Sequence, residues 1–333
     1  MTTAIVTRTS RAKKIDPLAA PPKGSKINKL VVHVGPHFDE LLGALLVLLY
    51  AGGYWKLAAK LELVTVRTDE EAMKLAATGT AVLIGIGGGE LDEHKATGRI
   101  PDVCATELVA KLLGLDQRPA FARILKEANR ADTEASQTMM ELAQLIKRIN
   151  YDAKRGTPEE RSQISWNVVQ EVMPSVINDE IEFHELCQPE FERAGSIQHV
   201  GDIDVALVRS ELISMSRWCR HEGAGIVVQL DHTDHVRVFT DRKLKHKMPA
   251  FMRGCLELEL SRDKKLSVEK RQEALAEYDE AVAAFNQGRP MPAASHLYAF
   301  FKGGMLLNGS LSHEVQASTI TFEDALKIIK RVF

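Results

Sequence analysis

Two histidines and an aspartate of metal-binding type stand close together early in the chain: His33, His37 and Asp39, in the spacing H-x3-H-x-D. They lie where an apolar run at residues 29–34 ends in a Gly-Pro turn and an apolar stretch at residues 39–51 begins. This pattern predicts a buried strand followed by a helix. Imidazole and carboxylate groups together suit Mn²⁺ or Zn²⁺, and ligands collect at the carboxyl ends of parallel strands. We therefore predict a metal site at this turn.

Two further groups of polar side chains follow the same logic. Asp92, Glu93 and His94 come after a glycine-rich turn at residues 87–89, and Asp132 stands at the end of a predicted helix. A doubly wound sheet would bring these positions together with the first group. Two metal ions about 3.5–4 Å apart can activate a water and stabilise the leaving oxygen in phosphoryl transfer. The predicted metal ligands are His33, His37, Asp39, Asp92, His94 and Asp132.

Each of these residues also has an ordinary structural interpretation. Asp39 is a preferred residue type for capping a helix N-terminus. Asp92 and His94 fit a solvated loop, and Asp132 fits an Asx-turn at a helix end. The glycines at residues 85–89 do not complete G-x-G-x-x-G, because a glutamate occupies the final glycine position, so dinucleotide binding is not predicted. The metal-site hypothesis depends on the three groups occurring together.

The elements that would position these groups alternate in type. After the first strand and helix, residues 61–66 predict a second strand and residues 81–86 a third. Between them, Thr68 with Glu71 three residues later is typical of a capped helix start. A strand, helix, strand, helix, strand series predicts a parallel sheet.

The rest of the chain is mainly helical at first and mixed later. Helices are predicted at residues 101–113, 120–131, 137–150, 157–194, 210–220, 266–287 and 321–332, and strands at 202–208, 225–230, 235–240 and within 297–307. We predict an α/β fold with a flexible tail at residues 1–28, a parallel-sheet domain with a helical extension at 29–195, and a smaller α+β domain at 196–333.

Composition limits the class of protein. The net charge of −2 gives no general attraction to nucleic acid or to a membrane, and the longest apolar run is shorter than the ~20 residues of a membrane span. Four scattered cysteines fit a reducing compartment, so a cytoplasmic location is expected. The alternative is mitochondrial, because residues 1–25 have the composition of a transit peptide. The sequence leaves a monomer and a homo-oligomer both open.

Two segments carry a resemblance to a known family. HVGPHFDE at residues 33–40 and VRTDEEAMKLAATGTAVLIGIGGGELDEH at residues 66–94 resemble the DHH phosphoesterase superfamily. The similarity is to its branch of metal-dependent hydrolases and nucleases named after the melanocyte-proliferating gene product. It covers roughly residues 29–135, with a weaker similarity of residues 296–310 to the substrate-gripping C-terminal domain.

The resemblance implies ligands by position. His33, His37 and Asp39 match its first motif, and Asp132 matches its last ligand aspartate. The triplet at residues 92–94 matches the DHH motif, with a glutamate in place of the middle histidine. Gly85 stands where the family has the aspartate that bridges two metals, so this chain would hold one or two Mn²⁺ ions, with Mg²⁺ or Zn²⁺ as alternatives.

The expected function is metal-dependent phosphoester hydrolysis of a nucleotide or of a short RNA or DNA end. His94 or Glu93 would assist proton transfer. The residues expected to bind the substrate phosphate are Lys302, Gly303, Gly304, Arg237 and Arg242, for which an ordinary hairpin and a solvated surface are the alternatives. One alternative function is a degenerate relative that serves as a binding or assembly module. Another is an enzyme adapted to one metal that acts on a different bond.

Overall fold

The computed structural model describes residues 19–134, 138, 140–285, 297–308 and 315–333. The chain divides into two compact units between Asn178 and Asp179, whereas the predicted boundary lies between residues 195 and 196. A parallel sheet in the first unit and a mixed sheet in the second confirm the α/β class. Within the described ranges, no helix combines the length and apolarity needed to cross a membrane.

The first unit is built on three parallel strands in the order β2–β1–β3. They are β1 (Lys26–His33), β2 (Lys56–Val66) and β3 (Ala81–Leu83). Residues 30–32 of the central strand are buried on both faces, as the continuous apolar run predicts. The strand begins at Lys26, so the end of the predicted tail belongs to the sheet, and Trp55 donates a hydrogen bond from Nε1 to the Pro21 carbonyl, 2.8 Å away.

The first unit also contains two short strands and a series of α-helices, the last of which continues past the unit's end at Asn178. The strands are β4 (His94–Lys95) and β5 (Gly98–Arg99), which pair as a hairpin, and the helices are α1 (Phe38–Tyr50), α2 (Asp69–Ala76), α3 (Ala105–Leu113), α4 (Pro119–Thr133), α5 (Leu142–Tyr151) and α6 (Pro158–Ile181). The Thr68 cap is confirmed, since its side chain accepts from the Glu71 amide. The helix predicted from residue 101 begins later, because Asp102 has a left-handed backbone with φ of +54°. The predicted start of α5 at residue 137 lies outside the described residues.

The turn between β1 and α1 is tied to two later helices. Asn150 of α5 donates from Nδ2 to the Pro36 carbonyl over 2.7 Å, and its Oδ1 accepts from Ser165 Oγ of α6 over 2.8 Å. The Gly35 amide donates to Ser162 Oγ at 2.8 Å. These bonds satisfy turn groups that the sheet leaves unpaired, and they fix the turn relative to α5 and α6.

The second unit contains a six-stranded sheet in the order β10–β11–β9–β8–β7–β6, in which only β7 and β8 are parallel. Its strands are β6 (Gly195–Val200), β7 (Ile203–Arg209), β8 (Ile226–Leu230), β9 (Val236–Thr240), β10 (Leu297–Phe300) and β11 (Met305–Asn308). Its helices are α7 (Cys187–Ala194), α8 (Met215–His221), α9 (Met248–Arg262), α10 (Val268–Phe285) and α11 (Phe322–Val332), and a π-helical turn at Glu182–Leu186 links α6 to α7. Sheet residues and side chains of α9 and α11 share one apolar core.

Several predictions for this unit are confirmed and others need correction. The hairpin of β8 and β9 and the final helix are present as predicted. The helix predicted at residues 210–220 begins only at Met215. The sequence does not predict β6, because most of its residues are exposed and carry no apolar alternation. α9 is also missed, although its buried Met248, Phe251, Met252 and Cys255 have helical spacing.

Candidate metal centre

Glu40 organises the turn that carries the first predicted ligands. Its Oε2 accepts from the His37 amide at 2.7 Å, and its Oε1 lies 2.7 Å from His33 Nδ1 and accepts from the His33 amide at 3.2 Å. The bond to Glu40 raises the pKa of His33. His33 is therefore paired with a buried glutamate, and it is not in the group formed by the other two predicted ligands of this turn. The sequence signal for Glu40 is its place at the third position of the helix, where glutamate closes a capping box.

His37, Asp39 and Asp132 form one potential metal-binding group. Each offers a ligand atom, and these atoms all lie within 4.8 Å of one another. The first two belong to the start of α1 and the third to the last turn of α4. Asp39 is only 2% exposed; its Oδ2 accepts from the Ala105 amide at 3.3 Å, and its carbonyl accepts from Thr106 Oγ1. The structure thus brings together ligands that the sequence places far apart.

Asp92, Glu93 and His94 form a second group, whose ligand atoms also lie within 4.8 Å of one another. Asp92 accepts from the Gly88 amide at 2.7 Å and from the His94 amide at 2.8 Å, so it is locked by its own loop. His94 is exposed, and its Nδ1 lies 3.1 Å from Glu93 Oε1. Glu93 is 3% exposed, and its Oε2 has no hydrogen-bond partner among the described residues. A buried, unpaired carboxylate oxygen is unusual in a folded protein.

Charged residues of each group shift the pKa of a carboxylate in the other group. Burial raises the pKa of Asp39 well above its usual value, and the negative charges of Glu40, Asp132 and Glu93 raise it further. Burial also raises the pKa of Glu93; Asp132 and Asp92 add to this, while His94 opposes it. The carboxylates therefore interact strongly enough that the negative charge of each disfavours the ionised form of the others. A bound cation would reverse that effect.

One positive side chain already lies at the centre. The guanidinium of Arg99 contacts the Asp132 carboxylate. Arg99 is paired with His94 across the β4–β5 hairpin, so the segment that carries a predicted ligand also carries this cation. The sequence does not predict this role, because nothing in the spacing of a two-residue strand indicates which carboxylate its arginine will reach.

Gly85 has a steric explanation. Its φ is +63°, and a Cβ at this position would lie 2.7 Å from Glu40 Cγ. The Glu40 side chain thus occupies the space that an aspartate side chain at position 85 would need. The glycine at position 85 and the buried Glu40 are two parts of one packing arrangement.

The predicted phosphate-binding residues belong to the second unit. Lys302 and Arg242 are exposed. Arg237 is paired with an acidic residue, since its Nη2 lies 3.5 Å from Asp231 Oδ2. Gly304 has a φ of +67°, its carbonyl accepts from the Thr240 amide at 2.8 Å, and a Cβ there would collide with Thr240. Glycine is thus required by the chain path at position 304. Phosphate binding at these residues stays a prediction.

A cleft of about 310 Å³ opens beside the first group. It is lined by Pro36, His37, Phe38, Asp39, Ala131, Asp132, Thr133, Glu134, Ala143, Gln144, Ile146 and Lys147. The lining combines the start of α1, the end of α4 and one face of α5. A ligand in this cleft would contact the candidate metal centre directly.

Comparison with known proteins assigns no family. No family model and no curated protein matches the chain. A solved structure described as an uncharacterized protein from Helicobacter pylori G27 is similar at 8% sequence identity, over 92% of this chain and 99% of that chain, with a TM-score of 0.29. Likeness at this level establishes neither fold nor function.

Packing of Glu40 against position 85 predicts an energetic coupling between the two residues. Gly85→Ala should lower the free energy of unfolding by about 1–3 kcal/mol, through left-handed strain and overlap with Glu40. In a Glu40→Ala background the same change should cost about 1 kcal/mol less, because the overlapping atoms are gone. Denaturant unfolding of the four proteins measures this difference.

Gly114→Ala is the matched control, because Gly114 has a similar φ of +71° and, among the described residues, no atom beyond its two chain neighbours lies within 4 Å of the place that an added methyl group would take. Its cost should be the same with and without Glu40. An equal cost of Gly85→Ala in both backgrounds would contradict the packing explanation.

The raised pKa of Asp39 predicts the pH dependence of metal-free stability. Between the unfolded and the higher folded pKa, the folded chain keeps a proton that the unfolded chain has lost, so stability falls as pH rises. Asp39→Asn resembles the neutral form. It should be more stable than the original chain at pH 8, by roughly 1 kcal/mol or more, and about equal near pH 4.

Thermal unfolding of the two metal-free proteins between about pH 4 and pH 8 measures this difference in stability. Asp116→Asn removes an exposed carboxylate and should show no such pH-dependent gain. An original chain that is more stable than Asp39→Asn at pH 8 would show that the Asp39 charge is compensated within the protein.

Proposed function

We propose that the protein is a metal-dependent phosphoester hydrolase of DHH-like architecture. The observation that carries the proposal is the buried Oε2 of Glu93, which has no hydrogen-bond partner among the described residues and whose carboxylate interacts electrostatically with those of Asp39 and Asp132. His37, Asp39 and Asp132 form one group of potential donors, and Glu93 belongs to the neighbouring group with Asp92 and His94. The imidazole of His37 and the carboxylates of Asp39, Asp132 and Glu93 are donors of the kind that suit a Mn²⁺ ion. Mg²⁺ and Zn²⁺ are alternatives with overlapping ligand preferences.

The donor set favours one strongly held ion over two. Gly85 offers no side-chain ligand, and both oxygens of the neighbouring Glu40 are engaged by His33 and the His37 amide. His37, Asp39, Asp132 and Glu93 would hold the ion. In this proposal Asp92 supports the centre through its hydrogen bonds to the loop amides.

When bound, the cation would lower the pKa of a water and neutralise charge on the phosphoryl oxygens. The residues of the chain would orient the substrate and move the proton. With Nδ1 of His94 donating to Glu93 Oε1, the exposed Nε2 of His94 is left to accept a proton from the attacking water. Glu93 would orient this imidazole as well as contribute to the cation site. In this proposal a phosphate-containing substrate, such as a nucleotide or a short RNA or DNA end, binds in the cleft lined by His37, Asp39 and Asp132.

A second candidate function is a binding or assembly module without catalysis. Two observations favour it: Arg99 supplies a positive charge to Asp132, and Gly85 lacks a carboxylate. In that case the acidic centre would be maintained by Arg99 and would bind no metal ion. Metal content therefore distinguishes the two functions.

The hydrolase proposal predicts Mn²⁺-dependent cleavage of end-labelled short RNA by the purified full-length chain. Asp39→Ala and His37→Ala should each reduce the rate by at least about 100-fold, because each removes a proposed ligand. Gel analysis of product against time, with circular dichroism to verify folding, measures the effect.

His199→Ala is the control, since it removes an exposed histidine of the second unit. It should cleave at the original rate. Folded original protein that binds no Mn²⁺ and cleaves no RNA would contradict the hydrolase function and favour the module.

A further inference from the structure

One wall of the cleft beside the candidate metal centre is a face of α5. The residues of this wall are Ala143, Gln144, Ile146 and Lys147, at the spacing of one helix face. Ile146 is fully buried and holds the helix against the core, while Lys147 is exposed. The lysine therefore stands at the solvent side of a cleft whose inner side carries Asp39 and Asp132.

The position of this lysine is fixed relative to the ligand turn. Asn150 lies one helical turn after Lys147, and it donates to the carbonyl of Pro36, the residue next to His37. The same Asn150 accepts from Ser165 of α6. One bond thus joins α5 to the turn and the other joins α5 to α6, so the lysine is presented to the cleft by an anchored helix and not by a loop.

The charges around the cleft make Lys147 distinctive. The lining contains three acidic residues, Asp39, Asp132 and Glu134, and one lysine, Lys147. In the part of the chain that the structure describes, this ammonium group makes no hydrogen bond or ion pair. A lysine ammonium is a mobile point charge with three donors, which suits the oxygens of a phosphate group.

We propose that Lys147 binds the substrate phosphate from the α5 side of the cleft, so that the phosphate lies between this ammonium and the metal ligands. The inference rests on the proposed hydrolase function and specifies its substrate class. A volume of about 310 Å³ is at the small end of ligand pockets, which commonly span roughly 300–1,000 Å³. The cleft therefore takes one phosphorylated unit, as in a small phosphoester or the terminal nucleotide of a chain.

The test is calorimetric titration of inorganic phosphate into the Mn²⁺-loaded full-length protein, with Mn²⁺ binding measured separately. Lys147→Ala should weaken phosphate binding about 10-fold or more, as loss of a charged hydrogen bond does. Lys147→Arg should retain most of the affinity, and both variants should bind Mn²⁺ as the original chain does.

Arg148→Ala is the matched control, because it removes the same charge from the next residue of the same helix, outside the cleft lining. Its phosphate affinity should be unchanged. Equal losses in Lys147→Ala and Arg148→Ala, or no loss in either, would overturn the role of Lys147 and leave the hydrolase function standing. Original protein that binds no Mn²⁺ would overturn the hydrolase function and this inference together.

Discussion

The buried carboxylate of Glu40 is the constraint on which the rest of the site depends. It binds the His37 amide at the start of α1 and both the imidazole and the amide of His33 at the end of β1. It also occupies the space next to Gly85. A single side chain therefore contacts the strand β1, the helix α1 and the loop after β3. Both oxygens of Glu40 are engaged in these contacts. The neighbouring Asp39, and not Glu40, therefore belongs to the group with His37 and Asp132.

The acidic centre lowers the stability of the folded, metal-free chain. Asp39 and Glu93 are buried beside other carboxylates, which raises the pKa of both and disfavours their charged forms. Arg99 offsets part of this charge through Asp132, and the Oε2 of Glu93 remains unpaired among the described residues. An arrangement that reduces stability and gathers donor atoms is expected at a functional site, since the missing stabilisation is supplied by what binds there.

The sequence predicts the features that local patterns encode. The alternating strands and helices, the Thr68 cap and the meeting of Asp39 with Asp132 follow from apolar runs, capping residues and the geometry of parallel sheets. It does not predict contacts that depend on tertiary packing, such as Arg99 with Asp132. The pairing of His33 with Glu40 is missed for a different reason: both residues have metal-binding chemistry, and only their packing shows that they bind each other. The need for a glycine at position 85 likewise becomes visible only when its contact with Glu40 is known.

Anomalous diffraction at the manganese edge, from crystals of the full-length chain grown with Mn²⁺, tests the central claim most directly. We expect a single strong peak enclosed by His37, Asp39, Asp132 and Glu93, with the Arg99 guanidinium withdrawn from Asp132. Absence of a peak, with Arg99 still in contact with Asp132, would show that the acidic centre is compensated by the protein itself and is not a metal site.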